Sequence, residues 1–145
     1  MSQGVAVRHN FETAHRLPHL GQSSKCFNLH GHSWTYEVTV ASDTVGEDGL
    51  VVEFGALKKL LRTWTDVHWD HGAMLGAADP LLSVLSAEGC KVYAFPRWPT
   101  VEAVAEELAR ISTAVLEQCP HAPDARILRV IVQETAVNSA MWGEW

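Results

Sequence analysis

An alternation of apolar and polar residues over positions 33–42 is the feature that most constrains how this chain can fold. The apolar residues are Trp34, Tyr36, Val38 and Val40, and the polar residues between them are Thr35, Glu37 and Thr39. An extended backbone directs successive side chains to opposite faces, so one face of this segment is apolar and the other is polar. The pattern predicts a half-buried strand in an antiparallel sheet.

Two further segments have the three-to-four residue spacing of amphipathic helices. Residues 54–66 place apolar side chains on one stripe between Phe54 and Trp64, with lysine and arginine facing outward. A second helix is predicted to begin after Pro99, with Thr100 as its N-cap, and to end near Cys119. Both helices would cover the apolar face of a sheet.

The remaining extended segments complete the predicted architecture. Residues 5–17 and 127–134 are predicted strands, and shorter candidates lie at residues 91–95 and 139–142. This order predicts an α+β fold, with a mainly antiparallel sheet and two helices on one face. The length of 145 residues predicts a single domain over residues 1–145.

Composition excludes several classes of partner. The net charge is −6 and the eleven lysines and arginines are scattered, which argues against a nucleic-acid partner. Three cysteines without motif pairing argue against a disulfide scaffold. The chain shows neither a signal-peptide core nor a long apolar run, so no membrane partner and a cytoplasmic location are predicted.

Histidines in two predicted strands point to a metal site. His30 and His32 are two residues apart and share a face, while Gly31 between them adds no side chain. His15, on a neighbouring predicted strand, supplies a third imidazole, and three imidazoles with an open fourth position are typical of catalytic zinc sites. Spacing alone leaves two alternatives open: ordinary polar strand ends, or a closed structural site completed by Cys26.

Several motifs occur in an order that resembles the 6-pyruvoyl-tetrahydropterin synthase superfamily. The pattern F-x-x-A-H-R-L begins at Phe11, and C-x3-H-G-H begins at Cys26. The landmarks that follow are G-L-V-V-E-F ending at Phe54, Asp70-His71, Pro99-Thr100-x-Glu102 and Glu134-Thr135. The three residues between Cys26 and His30 resemble the spacing in 6-carboxy-tetrahydropterin synthases, whereas the pyruvoyl branch has five.

The resemblance implies a zinc enzyme and assigns its site residues. It implies that Zn²⁺ is bound by His15, His30 and His32, that Cys26, Asp70 and His71 are catalytic, and that Glu134 binds the pterin. The implied lyase converts 7,8-dihydroneopterin triphosphate to 6-carboxy-5,6,7,8-tetrahydropterin, with release of acetaldehyde and triphosphate, in 7-deazaguanine and queuosine biosynthesis. The resemblance also implies the tunnelling fold, in which the sheets of a homo-oligomer, a trimer or a hexamer, join into a barrel.

Three departures from the family pattern bear on the choice of substrate. The asparagine usual after the Asp70-His71 pair is absent, Glu53 stands where family members have aspartate, and residues 76–98 form a long connection. Two alternatives therefore stay open. One is a 6-pyruvoyl-tetrahydropterin synthase, which eliminates triphosphate without losing carbon, and the other is a non-catalytic zinc- or pterin-binding relative.

Simpler interpretations also exist for individual residues. For Asp70 and His71, the simpler interpretation is a pair without function at the end of a helix. For Glu134 it is a solvated residue at the end of a strand, and for Thr100 and Glu102 it is helix capping. A triphosphate requires cations, and the sequence does not choose among the candidates. These are Arg16, Lys25, His9 and His19.

Overall fold

A mixed sheet of six strands organises the fold, which a computed structural model describes for residues 1–145. The strands are β1 (Gln3–His15), β2 (His30–Ser42), β3 (Gly72–Gly76), β4 (Val92–Phe95), β5 (Arg126–Thr135) and β6 (Asn138–Gly143). The helices are α1 (Phe54–His68), α2 (Pro80–Ala87) and α3 (Val101–Leu116). The strands lie in the order β4-β3-β1-β2-β5-β6, so the long strands β1 and β2 are central.

Strand directions divide the sheet into two parts. The pairs β1–β2, β2–β5 and β5–β6 are antiparallel, whereas β3 runs parallel to both β1 and β4. The predicted α+β class is confirmed, and the antiparallel prediction describes four of the six strands. The parallel extension brings the segment after α1 alongside the end of β1 that carries His15.

The alternating pattern of β2 produces the expected burial. Trp34, Tyr36, Val38 and Val40 are all buried in the main hydrophobic core. Phe11 of β1 stacks on Trp34 with 5.7 Å between ring centroids, and both rings lie in the face that α1 and α3 cover. Burial of this apolar area is the main driving force that holds the two helices on one face.

Side chains at the helix starts fix where α1 and α3 begin. The carboxylate of Glu53 accepts hydrogen bonds from the backbone of Gly55 and Ala56, so a longer acid still performs the capping role. Thr100 Oγ1 accepts from Ala103 N at 3.1 Å, which confirms the predicted N-cap of α3. None of the three helices has the length and apolar character that crossing a membrane requires.

Strand β3 and helix α2 were not predicted from the sequence. The β3 segment is short, bounded by glycines and buried along most of its length, so it shows no alternation that would reveal a strand. Helix α2 has only eight residues, with Asp79 as N-cap and Pro80 in its first turn. The connection over residues 76–98 therefore contains a helix and an edge strand.

Candidate metal and substrate site

Strand pairing gathers the three histidines at one end of the two central strands. His15 is the last residue of β1 and pairs with His30, the first residue of β2. The ring centroids are 4.6 Å apart for His15 and His30, 5.2 Å for His15 and His32, and 4.8 Å for His30 and His32. One ligand nitrogen from each residue lies within 4.8 Å of the others, so this histidine cluster is able to bind a metal ion.

Backbone carbonyls fix which ring nitrogens face the centre of the histidine cluster. His15 Nδ1 is 2.8 Å from the Pro99 carbonyl oxygen, and His30 Nδ1 is 2.7 Å from the Asn28 carbonyl oxygen. A ring nitrogen that faces a carbonyl must carry the proton, which leaves Nε2 of each ring with a free lone pair. Such partners orient metal-binding imidazoles and raise their basicity as ligands.

Two Nε2 atoms of the histidine cluster are buried without a partner within the chain. His15 Nε2 and His32 Nε2 are inaccessible to solvent and accept no hydrogen bond. A buried polar atom without a partner is costly, and a bound cation would satisfy both lone pairs. The donor set of three imidazoles therefore fits a borderline-soft divalent metal such as zinc.

Burial also favours the neutral form of His15 and His32, which is the form that binds metal. Desolvation lowers the pKa of His15 to about 4, against the opposing effect of its hydrogen bond to Pro99. Desolvation likewise lowers the pKa of His32, although the nearby charge of Glu134 acts in the opposite direction. His15 is consequently neutral at pH 7, which metal coordination requires.

The Glu134 carboxylate borders the histidine cluster. Pairing of β5 with β2 sets Gln133 opposite Thr35, which directs Glu134 to the face that carries the histidines. Its carboxylate oxygens lie 3.8 Å from His15 Nε2 and 4.0 Å from His32 Nε2, beyond hydrogen-bond range. Only 18% of the Glu134 side chain is exposed, so the carboxylate is not a freely solvated strand end.

Cys26 lies on a short 3₁₀ turn, Lys25–Phe27, just before β2. The turn is attached to the end of β1 by a 2.6 Å hydrogen bond from Leu17 N to the Cys26 carbonyl oxygen. Cys26 is half-buried and is not among the residues whose ligand atoms converge in the histidine cluster. The thiol therefore does not complete a four-ligand site in this structure.

Asp70 and His71 form a hydrogen-bonded pair that makes no contact with the histidine cluster. Asp70 Oδ2 is 2.8 Å from His71 Nδ1, and a left-handed backbone at His71 (φ 58°) bends the chain enough for this contact. Asp70 Oδ1 accepts from Glu12 N at 2.8 Å. Glu12 precedes His15 by three positions on β1, which corresponds to roughly 10 Å along the strand.

Within the protomer, the pair therefore stands apart from the histidines. No hydrogen bond or ring contact joins Asp70 or His71 to the histidine cluster, and 78% of the His71 side chain is exposed. The predicted site residues thus fall into two groups. One contains His15, His30, His32 and Glu134 with Cys26 on an adjoining turn, and the other contains Asp70 and His71.

The structure separates the four candidate phosphate ligands. His9 bonds to the Lys58 carbonyl and lies six positions before His15 on β1, which corresponds to about 20 Å. Arg16 is held by the Asp79 carboxylate, and His19 stacks on Trp98 with 4.8 Å between centroids. Lys25, the first residue of the Cys26 turn, makes no ion pair, so its positive charge is available to bind a phosphate.

Three contributors to the site were missed at the level of sequence. The carbonyl groups of Pro99 and Asn28 orient two imidazoles, and Asp79 holds Arg16. Backbone carbonyls carry no residue-type signal, so only the Pro99-Thr100 helix start could have drawn attention to that segment. Asp79 could have been found as the N-cap of a helix, because it directly precedes Pro80.

Comparison with known proteins establishes the family. Residues 4–144 match the sequence profile described as 6-pyruvoyl tetrahydropterin synthase. The chain belongs to this family. The motif order from Phe11 to Thr135 had indicated the same superfamily, so that prediction is confirmed.

Curated relatives in the 6-pyruvoyl tetrahydropterin synthase family cover most of the chain. A 6-carboxy-5,6,7,8-tetrahydropterin synthase from Rickettsia bellii is 37% identical over 103 residues, which is 70% of this chain and 73% of the relative. A protein of the same name from Aquifex aeolicus is 32% identical over 126 residues, covering 83% of this chain and 77% of the relative. A third, from Synechocystis sp., is 40% identical over 85 residues, covering 54% and 64%.

Solved structures support the fold of the family. An uncharacterized protein from Wolinella succinogenes superposes with a TM-score of 0.81 at 18% identity, over 100% of this chain and 99% of that one. The Caenorhabditis elegans 6-pyruvoyl tetrahydropterin synthase superposes with a TM-score of 0.71 at 21% identity, over 100% and 97%. At these identities the likeness confirms the predicted fold of the protomer.

Proposed function

We propose that this protein is a zinc-dependent lyase of the 6-pyruvoyl tetrahydropterin synthase family. It converts 7,8-dihydroneopterin triphosphate to 6-carboxy-5,6,7,8-tetrahydropterin and releases acetaldehyde and triphosphate. The observation that carries the proposal is the histidine cluster, with two buried, unpartnered Nε2 atoms beside Glu134 and the Cys26 turn. The names of the relatives from Rickettsia bellii and Aquifex aeolicus support the choice of product.

His15, His30 and His32 hold the metal ion in this proposal. Bound there, zinc would supply Lewis-acid polarisation of the substrate's side-chain hydroxyls. The carbonyls of Pro99 and Asn28 keep the rings in the tautomer that presents Nε2. Because His15 is buried and neutral, it has no proton to lose before it binds the ion at neutral pH.

The remaining residues bind the substrate and move protons. The Cys26 thiolate takes a carbon-bound proton from the substrate side chain, since the thiol is half-buried and not committed to the histidine cluster. Asp70 accepts the hydrogen bond from His71 Nδ1, which orients the imidazole and leaves Nε2 free to exchange a proton. Glu134 accepts paired N–H donors from the pyrimidine edge of the pterin.

Assembly of several subunits completes the site. Asp70 and His71 make no contact with their own histidine cluster, and His71 is exposed, so the pair serves a neighbouring subunit's substrate. Strands β4 and β6 are the edges of the sheet, and unpaired edges favour association with further strands. We expect light scattering to give a mass of three or six times the 16.0 kDa chain. A monomer at working concentration would contradict this part of the proposal.

Product analysis tests the proposed reaction directly. Purified zinc-loaded protein is incubated with 7,8-dihydroneopterin triphosphate, and the products are identified by mass spectrometry with an enzymatic assay for acetaldehyde. Release of acetaldehyde in equal amount to 6-carboxy-tetrahydropterin supports the lyase. A pterin that retains all its side-chain carbons would instead identify a 6-pyruvoyl-tetrahydropterin synthase.

Replacing Cys26 separates the catalytic proposal from a structural or non-catalytic zinc protein. Cys26→Ala is expected to retain zinc and lose turnover by at least a hundredfold, because the thiol acts on substrate and not on the metal. Cys90→Ala, which changes an exposed thiol, is the matched control and keeps wild-type turnover. Loss of zinc together with stability in Cys26→Ala would indicate a four-ligand structural site.

The proposal also covers the pathway, the location and the domain organisation. The product is a precursor for 7-deazaguanines, including queuosine, and the enzyme acts in the cytoplasm as a single domain over residues 1–145. The match to residues 4–144 supports one domain of this type. Deleting the gene and measuring queuosine in tRNA tests the pathway, and unchanged queuosine would contradict it.

A further inference from the structure

Arg16 follows the metal-binding His15 and forms an ion pair with a residue distant in sequence. Its Nε donates to Asp79 Oδ2 at 2.8 Å and its Nη2 donates to Asp79 Oδ1 at 2.5 Å. The Asp79 side chain is completely buried, and only 18% of the Arg16 side chain is exposed. Paired, parallel contacts between a guanidinium and a carboxylate fix both distance and orientation.

Asp79 is itself held by the backbone on both sides. Its Oδ1 accepts from Leu81 N at 2.9 Å as the N-cap of α2, and its own N–H donates to the Gly76 carbonyl at the end of β3. The carboxylate is therefore attached to the sheet and to a helix start. It provides a fixed point inside the long connection over residues 76–98.

The Arg16 guanidinium also lies against the turn that contains Cys26, the proposed catalytic thiol. The Arg16 Cζ atom lies 5.8 Å from the centre of the Phe27 ring, and Phe27 directly follows Cys26. The next residue along, Leu17, donates its backbone N–H to the Cys26 carbonyl oxygen at 2.6 Å. Arg16 and Leu17, which directly follow β1, thus contact Phe27 and Cys26 of the turn, respectively.

The other hydrogen bonds of this turn do not reach the body of the protein. They are local, from Cys26 N to Ser24 Oγ, from Phe27 N to the Ser24 carbonyl and from Asn28 to the Lys25 carbonyl. The surrounding loop is largely exposed, including Lys25 and Asn28. Apart from packing against the short Pro18–Leu20 turn, the place of the thiol relative to the histidine cluster therefore depends on Arg16 and Leu17.

We infer that Arg16 and Asp79 form a positioning pair for Cys26, which holds the Lys25–Phe27 turn in place beside the histidine cluster. Asp79 takes the Nε and Nη2 contacts of Arg16 and the Phe27 ring lies against its Cζ, so we assign Arg16 to the turn, and the KM measurement below separates this role from a triphosphate ligand. The connection over residues 76–98 contributes to the site through Asp79. The pair matters for turnover through Cys26, so the inference rests on the proposed function.

Conservative variants of the pair provide the test. Arg16→Lys keeps the charge but loses the planar double contact, and Asp79→Asn keeps the shape but loses the negative charge. The matched controls are Arg110→Lys and Glu107→Gln, because Arg110 also makes a double contact to the Glu107 carboxylate, on α3. Each protein is measured for kcat and KM, for zinc by elemental analysis, and for the alkylation rate of Cys26 by iodoacetamide with peptide mass spectrometry.

A positioning role predicts a specific set of changes. Arg16→Lys and Asp79→Asn are each expected to lower kcat at least tenfold with KM within threefold of wild type. The alkylation rate of Cys26 changes at least fivefold, while the zinc content does not change. The double variant is no worse than the poorer single variant, since the two residues act as a unit. The α3 controls stay within twofold in every measurement.

Two outcomes would overturn the inference. If folded Arg16→Lys and Asp79→Asn proteins both keep wild-type kcat and Cys26 alkylation, the pair does not position the turn. If Arg16→Gln raises KM at least tenfold while Asp79→Asn behaves as wild type, Arg16 is a phosphate ligand. Circular dichroism establishes which variants are folded, and where only one is folded, its wild-type kcat and Cys26 alkylation overturn the inference.

The design distinguishes failure of this inference from failure of the proposed function. Alkylation of Cys26 is measured without substrate, so it reports on the turn even if the wild-type protein does not turn over dihydroneopterin triphosphate. If the variants have an altered alkylation rate but the wild-type protein does not turn over the substrate, the positioning pair is upheld and the proposed reaction is overturned. If the variants have a normal alkylation rate and the wild-type protein does turn over the substrate, the reaction is upheld and the positioning pair is overturned.

Discussion

At the scale of single residues, the site combines buried neutral imidazoles with a carboxylate beside them. The pKa of His15 is lowered to about 4 by burial, so the 3.8 Å approach of Glu134 is not an ion pair at neutral pH. Glu134 Oε1 and Oε2 are consequently free to accept hydrogen bonds from a ligand. A carboxylate at the edge of a metal site can bind either substrate or metal, and the two roles have different consequences when it is replaced.

Glu134→Gln tests the substrate-binding role. The change removes the negative charge but keeps the shape, and hydrogen bonds to a charged group contribute about 1.5–3 kcal/mol. We therefore expect KM for dihydroneopterin triphosphate to rise roughly tenfold to a hundredfold, with unchanged zinc content. Steady-state kinetics and elemental analysis measure the two effects, with Glu102→Gln at the start of α3 as control. Loss of zinc with unchanged KM would make Glu134 a metal ligand.

At the scale of elements, the ends of strands determine the geometry of the site. The end of β1 and the start of β2 carry the histidines, and the end of β3 lies under the segment that leads to Pro99. A Cβ atom at Gly76 would collide with the Arg97 carbonyl oxygen and lie 2.6 Å from the Trp98 ring. Close packing at this point fixes the route of the chain to the carbonyl that orients His15.

Gly76→Ala is expected to destabilise the protein by about 1–3 kcal/mol, the usual cost of forcing extra volume into a packed site. Gly31→Ala is the matched control, because a Cβ atom at Gly31 meets only the Thr13 carbonyl oxygen, at an ordinary 3.7 Å. Urea unfolding followed by circular dichroism measures both free energies of unfolding. Equal stability of the two variants would show that the chain beside Gly76 relaxes freely.

At the scale of the whole molecule, the candidate metal site borders a large hydrophobic core. The core contains 23 buried apolar residues, and the rings of His15 and His32 lie 5.0 Å and 5.5 Å from that of its member Trp34. The fold therefore does not depend on metal as a small zinc-stabilised domain does. Bound metal still adds stability, since an ion that binds only the native state stabilises it by mass action.

Removal of metal by a chelator is expected to lower the melting temperature and leave the secondary structure intact. Metal at a hundred times its Kd contributes about 2.7 kcal/mol, which corresponds to roughly 5–10 °C for a chain of this size. Thermal unfolding with and without chelator measures the shift, and far-ultraviolet circular dichroism at 25 °C checks the fold. A chelated protein that is unfolded at 25 °C would mean that the metal is structural.

The ion pair between Arg16 and Asp79 makes stability depend on pH. The hydrogen bonds from Arg16 hold the pKa of Asp79 below its ordinary value. The unfolded state therefore binds a proton more readily, and the contribution is complete above the unfolded pKa of about 3.9. It is lost as the pH falls through the lower pKa of the folded state.

Asp79→Asn is expected to be less stable than wild type at pH 6, with a difference that shrinks as the pH falls below about 4. The reason is that wild-type Asp79 loses its charge at low pH, whereas asparagine has none to lose. Urea unfolding midpoints at pH 6 and pH 3 measure the effect. A difference that stays constant over this range would show that Asp79 is not the group responsible.

Local patterns in the sequence determined the central strand, the two long helices, the N-cap at Thr100 and the position of His30 and His32 on the same face of a strand. These features depend on residues within a few positions of one another, and their periodicity or capping chemistry is visible in the residue types. The family motifs extended the prediction to the candidate site residues, because the order of the motifs along the chain is itself the signal.

Only the tertiary structure decided which distant groups meet. It set the Pro99 carbonyl against His15, 84 positions earlier, and Asp79 against Arg16 across 63 positions. It also left the Asp70 and His71 pair without contact to the histidine cluster. Such contacts come from strand order, parallel pairing and the burial of short segments without periodicity, and none of these is encoded in the residues that finally touch.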